Sequence, residues 1–143
     1  MSITIEYLKR EDLQAYKCLI DTTFNGSAAI ESYETSYDEN HPSYKIIVAK
    51  DKSKIIGSAT IYKIDLFTFA FQPTLEIYNV AVLKEYRGSP AASLLFDFIK
   101  DFARENGYQT ASVTCLTEAF RAHRFYEKMG FKKLDRFRFQ LKI

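Results

Sequence analysis

Apolar and polar residues alternate over positions 2–7, with Ile3 and Ile5 on one side, and this spacing predicts a first strand. Over residues 11–24 the period changes, and Leu13, Tyr16, Leu19 and Ile20 recur at helical intervals to form one apolar stripe. A more polar helix opens near Ser27, carries Ile30, Tyr33 and Tyr37, and ends before His41-Pro42. Residues 44–50 and 54–62 read as a hairpin about Asp51-Lys52-Ser53. Residues 64–74 hold Leu66, Phe67, Phe69, Phe71 and Pro73, and read either as an extension of that strand or as an apolar loop.

From residue 75 the pattern sharpens. Ile77, Tyr78, Val80 and Val82 give a strand, and alternation puts Glu76, Tyr78, Val80 and Val82 on one face and Ile77, Asn79 and Ala81 on the other. A charged turn, Lys84-Glu85-Tyr86-Arg87-Gly88, leads to Ser89-Pro90, with Ser89 placed to cap a helix and Pro90 at its first position. That helix covers residues 90–106, buries Ala91, Leu94, Leu95, Phe98, Ile99 and Phe102, and closes at Asn106-Gly107. Residues 109–115 form a strand with Ala111, Val113 and Cys115 on one side, and Thr117 caps a helix that runs to Met129 and stops at Gly130. Phe137, Phe139, Leu141 and Ile143 alternate with Arg138, Gln140 and Lys142 in a last amphipathic strand. The order strand, two helices, three strands, helix, strand, helix, strand is that of an α/β fold with a mixed sheet.

A strand that delivers an Arg-Gly turn onto a helix N-terminus suits a phosphorylated ligand. The first turn of the helix has unpaired N–H groups, and the positive end of its dipole faces the anion.

Composition narrows the choice of partners. A chain of 143 residues with 47% apolar and 27% charged residues is an ordinary single globular domain with room for a core. A net charge of +2 is too small to indicate a nucleic-acid or membrane surface, so neither partner is expected. The basic and aromatic residues of positions 136–142 alternate at period two, which describes one wet and one buried strand face. No signal-like or membrane-length apolar run is present, and a cytoplasmic location is expected. Cys18 and Cys115 lie in apolar patterns and are expected as buried free thiols; with no clustered Cys or His ligands, no metal is expected. The 12 Phe and 10 Tyr predict an aromatic core and an aromatic-lined cleft.

The strand over residues 75–82, the Tyr86-Arg87-Gly88 turn and the helix after it are followed by a strand and by Ala122-His123-Arg124-Phe125-Tyr126-Glu127-Lys128-Met129-Gly130-Phe131. Together and in this order they resemble the GNAT superfamily of acetyl-CoA-dependent N-acetyltransferases. The resemblance runs through the whole chain in element order and is specific over residues 75–93 and 122–131. It implies a mixed, mostly antiparallel central sheet flanked by helices, in one domain over residues 1–143. It further implies acetyl-CoA as co-substrate and direct transfer of the acetyl group to a primary amine of a small molecule or peptide, with no covalent enzyme intermediate.

The resemblance assigns the CoA pyrophosphate to Arg87, Gly88, Ser89, Pro90, Ala91, Ala92 and Ser93. It assigns the pantetheine arm to the backbone of Val80, Ala81 and Val82, one N–H of which polarises the thioester carbonyl. Arg87 and Ala92 fit the family signature, whose middle glycine is Pro90 in this chain. Proline brings a ring and no N–H to a point of close backbone approach. Ala119 stands where the family often has Asn, a contact to the pantetheine arm. These two departures keep open an alternative, a GNAT-fold module with weak or no CoA binding that serves regulation or protein interaction.

Attack of an amine on a thioester expels a thiolate, and a neutral phenol beside it can hydrogen-bond to it or protonate it. Tyr126 fills the family's tyrosine position and is the candidate catalytic acid; the alternative is aromatic packing with Phe125. Glu76 is the candidate base for the incoming amine, on the strand where some family members place theirs; the alternative is a solvated glutamate at the strand start. His123 and His41 read as packing or loop residues. The acceptor is expected near Tyr33, Tyr37 and residues 67–71, where Glu31, Glu34, Asp38 and Glu39 suit a cationic amine or simply form a wet face. A homodimer through the last strand is a further expectation.

Overall fold

The computed structural model describes residues 2–143. Five strands, β1 (Ile3–Tyr7), β2 (Tyr44–Asp51), β3 (Lys54–Leu66), β4 (Gln72–Val82) and β5 (Ala111–Val113), form one sheet in sequence order. β1 to β4 run antiparallel, and β5 joins β4 in parallel. The helices are α1 (Leu13–Phe24), α2 (Ile30–Ser36), α3 (Ala91–Glu105) and α4 (Phe120–Lys128). The result is the expected mixed, mostly antiparallel sheet flanked by helices. The parallel pairing of β4 with β5 requires a crossover, which α3 supplies.

Each face of the sheet carries its own core. On one face Leu13, Tyr16 and Leu19 of α1, at helical spacing, cover Val48, Ile55 and Ala81. On the other, Ala91, Leu95, Phe96 and Ile99 of α3 cover Ile47, Ile56, Ile61, Leu75 and Ile77. Phe96 is fully buried and meets Phe125, Tyr126 and Phe131 at ring-centroid distances of 5.4, 5.5 and 5.7 Å. The stripe expected for this helix omitted Phe96 and included Leu94, Phe98 and Phe102, which are half-buried. α4, lying beyond α3, draws the buried arc round toward Phe96. Gly57 lets α3 and β4 come close, since a Cβ there would stand 3.0 Å from the Ala81 carbonyl oxygen and 3.4 Å from Leu95 Cδ1.

A β-bulge interrupts β4. Its register with β3 passes from Thr60↔Tyr78 to Ser58↔Ala81, so Asn79 and Val80 together oppose Ala59. Asn79 takes a left-handed φ of 55°, a conformation asparagine tolerates better than most residues. The extra residue inverts the facing of everything after it. Leu75 and Ile77, and then Val80 and Val82, join the core beneath α3, while Ala81 joins the core beneath α1. The single alternation expected from Glu76 to Val82 therefore holds only as far as Tyr78.

Of the two readings of residues 64–74 the structure takes the strand extension, and it corrects several other expectations. β3 and β4 extend past the end of β2 as a two-stranded arm, so residues 64–74 are strand, a short 3₁₀ turn at Phe67–Phe69, and strand again. α4 starts at Phe120, and the Thr117 hydroxyl bonds to Glu118 Oε2 rather than capping it. Both cysteines are exposed free thiols: Cys18 lies on the outer side of α1, and Cys115 lies past the end of β5. The last strand does not form. Residues 132–143 pair with no strand among the described residues, and their alternating apolar side chains face solvent. Alternation defines a strand's two faces, but a ladder also needs a partner edge.

Candidate active site

The pairing of β4 with β5 ends at Ile77↔Val113, leaving the rest of β4 open on that side. The Leu83 N–H bonds back to the Ile56 carbonyl of β3 at 2.8 Å. Backbone groups of successive residues in a strand point to opposite sides, so Val82 turns to the opening, Ala81 to β3 and Val80 to the opening. Of the three residues expected to offer backbone groups, Val80 and Val82 turn theirs to the open side, and Ala81 turns its own toward β3.

The turn and the start of α3 stand beside this opening. Gly88 takes a φ of +84°, open to glycine without strain, and its N–H has no acceptor among the described residues. The Ser89 N–H is held by the Tyr86 carbonyl at 3.1 Å, and the Ala91 N–H by the Ser89 hydroxyl oxygen at 3.3 Å. Pro90 is the residue before the helix rather than its first residue, and the Ser93 hydroxyl donates to its carbonyl at 3.0 Å. Unengaged donors remain at Gly88, Ala92 and Ser93, fewer than the expected cradle. Arg87 is exposed beside them. Tyr86 fixes the turn through its hydroxyl, which donates to Asp51 Oδ2 at 2.7 Å.

α4 packs Tyr126 against the core beneath α3, the core that Val80 and Val82 also join. Its ring packs on Phe96, Phe125 and Phe131, at 5.5 to 5.7 Å between centroids, and its hydroxyl has no hydrogen-bond partner among the described residues. Burial, with a smaller effect of nearby Cys115, pushes its pKa up to about 12. The phenol therefore keeps its proton throughout the physiological range. Packing and an available hydroxyl coexist in this one side chain. His123 is spoken for, with Nε2 at 2.9 Å from the Leu116 carbonyl oxygen, and His41 Nδ1 accepts from the Ser43 N–H at 3.1 Å.

Glu76 lies on the opposite face from Tyr126, across from Tyr62 on β3 and Ser112 on β5. It is one alternation short of the opening, and Tyr78 is the residue on its face nearest to it. Tyr78 belongs to an aromatic row across three strands, with ring centroids 5.6 Å apart from Tyr44 to Tyr62 and 5.4 Å from Tyr62 to Tyr78. His41 stacks on Tyr44 at 4.1 Å. The row leads to a cavity of about 680 Å³ under α1 and α2, with Tyr16, Tyr33, Tyr37 and Tyr44 in its walls and Asp38 and Glu39 at its rim. Tyr33 and Tyr37 thus stand where an acceptor was expected. Glu31 and Glu34 do not line the cavity, nor do residues 67–71, which the β3–β4 arm carries past the edge of β2. Tyr78 and Tyr16 were absent from the expected site. Tyr78 had a signal in its strand alternation with Glu76, while Tyr16 was legible only as core.

Among the described residues, no group of three or more His, Cys, Asp or Glu side chains is placed to hold a metal ion. No helix among them is long and apolar enough to cross a membrane.

Comparison with known proteins bears on the family and the fold. A family model described as the acetyltransferase (GNAT) family matches residues 8–131. Human N-acetyltransferase 8B is 28% identical over 86 residues, a match spanning 60% of this chain and 37% of that protein. Glucosamine-6-phosphate N-acetyltransferase from Arabidopsis thaliana superimposes with a TM-score of 0.85 at 19% identity, covering 99% of each chain. An aminoglycoside acetyltransferase from an uncultured soil metagenomic sample, in complex with sisomicin, superimposes with a TM-score of 0.79 at 21% identity, covering 98% of this chain and 97% of that one. At these identities the two structural likenesses speak to the fold alone.

Proposed function

This chain belongs to the acetyltransferase (GNAT) family, and on that premise we propose that it moves an acetyl group from acetyl-CoA directly to a primary amine of a small molecule or peptide. The observation that carries the reading is the open side of β4, with free N–H groups on the turn that follows it and an unpartnered Tyr126 hydroxyl on a side chain packed against the same core as Val80 and Val82. Arg87 and the N–H groups of Gly88, Ala92 and Ser93 suit the pyrophosphate. Backbone groups of Val80 and Val82 suit the amide-bearing arm and the thioester carbonyl.

The amine reaches the opening from the face of Tyr78 and Glu76. Glu76, directly or through water, accepts a proton as nitrogen bonds to the acetyl carbon and the carbon–sulfur bond breaks. With a pKa of about 12 against about 8.5 for a model thiol, Tyr126 is a weaker acid than the departing thiol. Its role is therefore to donate a hydrogen bond that steadies the thiolate, and the thiolate's proton comes ultimately from the amine. The tyrosine-walled cavity with Asp38 and Glu39 at its rim suits the remainder of a cationic acceptor, through cation–π and charge attraction.

The test is an acetylation screen over a panel of amines that follows release of free thiol. It should begin with aminoglycosides and amino sugars, because relatives by fold are named for them. Turnover of at least one amine, lost on removal of acetyl-CoA, is expected. One feature favours a second reading as a binding module: Pro90 has no N–H, and its neighbours Ser89 and Ala91 have already engaged theirs. Calorimetry separates the two, since absence of acetyl-CoA binding at millimolar ligand would overturn the transferase reading.

A further inference from the structure

We infer that the acceptor is an elongated cationic amine, with its reacting nitrogen and a second ammonium about 10 Å apart along a slender chain. This rests on the transferase reading above and narrows the class of amine that reading leaves open.

The cavity and the thioester site lie on different strands. The strand residues that line the cavity beneath α1 and α2 come from β1 (Glu6, Tyr7, Leu8) and β2 (Tyr44, Lys45, Ile46), and no described residue of β3 or β4 lines it. Val80 and Val82, proposed to hold the thioester arm, are on β4 and turn their backbone groups away from β3. β3 lies between β2 and β4. Neighbouring strands stand about 4.8 Å apart, so the reacting carbon is about 10 Å or more from β2. An acceptor held in the cavity reaches it only with an arm of that length. An extended chain gains about 3.3–3.6 Å for every three bonds, which makes the arm about eight or nine bonds long.

The ground between suits a thin, partly apolar chain. Tyr44 is itself a cavity wall, and the row continues through Tyr62 to Tyr78 with ring centroids 5.6 and 5.4 Å apart. All three rings are half-buried and open to a ligand lying across them. Tyrosine faces take methylene groups by contact and ammonium groups by attraction to the ring.

The two ends differ in charge. At the cavity rim, no ion pair among the described residues engages Asp38 or Glu39. The nearby cations are directed elsewhere. Lys9 pairs with Glu6 at 3.9 Å, and Lys45 Nζ donates to the Glu39 carbonyl at 3.2 Å. The Arg10 guanidinium donates to the carbonyls of Glu34 and Tyr37 at 3.2 and 3.4 Å. Both rim carboxylates are thus left for a second ammonium. At the β4 end the Arg138 guanidinium donates to the Tyr78 hydroxyl at 3.4 Å and offsets Glu76 on the same face. A positive charge there disfavours the ammonium form, so the nitrogen arrives as the free amine that attacks.

The probes are linear diamines of two to ten carbons and monoamines of matching length, with acetyl-CoA present and free thiol as the readout. The kcat/KM should rise about tenfold or more as the diamine reaches about eight carbons, and there exceed that of its monoamine by a similar factor. The Asp38→Asn/Glu39→Gln double variant should bring the two series together. A flat response to length, an optimum at two to four carbons, or a diamine advantage that survives the double variant would each overturn the inference while the transferase reading stands. Thiol release with no amine at all would overturn both.

Discussion

The Tyr86 hydroxyl donates to the Asp51 carboxylate at 2.7 Å and so ties the turn before α3 to the hairpin between β2 and β3. The same bond holds the Asp51 carboxyl below its usual range and raises the Tyr86 phenol. Asp51 thus has its pKa depressed on folding. The stability from this tie is present above the ordinary Asp pKa and is lost as pH falls through the lowered folded value. Tyr86→Phe should free the turn, raising the KM for acetyl-CoA severalfold while kcat stays within about twofold. Steady-state kinetics on both substrates would show whether the amine KM moves instead, the result that removes Tyr86 as a positioning residue.

Pro90 withholds one N–H from the proposed anion site. Pro90→Gly restores it, and a hydrogen bond to a charged acceptor contributes roughly 1.5–3 kcal/mol. Loss of the proline's restraint on the unfolded chain offsets about 0.4–1 kcal/mol of stability, not of affinity. The variant should therefore bind CoA roughly ten- to a hundredfold more tightly and melt at a slightly lower temperature. Calorimetry and thermal unfolding check the two halves separately.

Tyr126→Phe keeps the ring that packs on Phe96 and Phe131 and removes only the hydroxyl. Turnover should fall roughly ten- to a hundredfold, the worth of a hydrogen bond to a developing charge, with CoA affinity unchanged. Because burial raises the Tyr126 pKa to about 12, the stability linked to its neutral form persists below pH 10 and is lost as pH rises toward 12. The variant should lack the last phase of an alkaline phenolate titration followed by absorbance. Unchanged turnover would leave the residue with packing alone.

Glu76→Gln preserves the shape of the side chain across from Tyr62 and Ser112 but cannot take a proton. A general base contributes at least about a hundredfold, and kcat should fall by that order with the KM for acetyl-CoA unchanged. Full activity in a rapid-quench single-turnover assay would send the search for the base to Tyr78 or to water.

Phe96→Ala should destabilise the core severely, by about 3–5 kcal/mol. The ring is fully buried and supports Phe125, Tyr126 and Phe131 together. Urea unfolding measures the loss, and activity should fall with it, since Tyr126 loses the surface that aims it.

The chain's periodicities were enough to place four helices, the central strands and the turn at Arg87-Gly88, because local patterns of two and of 3.6 report which side of an element meets a core. They also marked Tyr126, whose spacing before Gly130 and Phe131 survives in the structure as the Phe131 N–H bonded to the Tyr126 carbonyl at 2.9 Å. Tertiary structure decided the rest. Asn79 carries no local mark of a bulge, yet the bulge separates Glu76 and Tyr78 from Val80 and Val82 and thereby sets which groups face which side of the opening. The donors of Ser89 and Ala91 were countable from sequence, but their capture by Tyr86 and Ser89 depends on how the turn closes. The row at Phe137, Phe139, Leu141 and Ile143 shows the limit most directly. Alternation fixes which side of a segment avoids water, whereas the edge that covers it is a property of the assembled sheet.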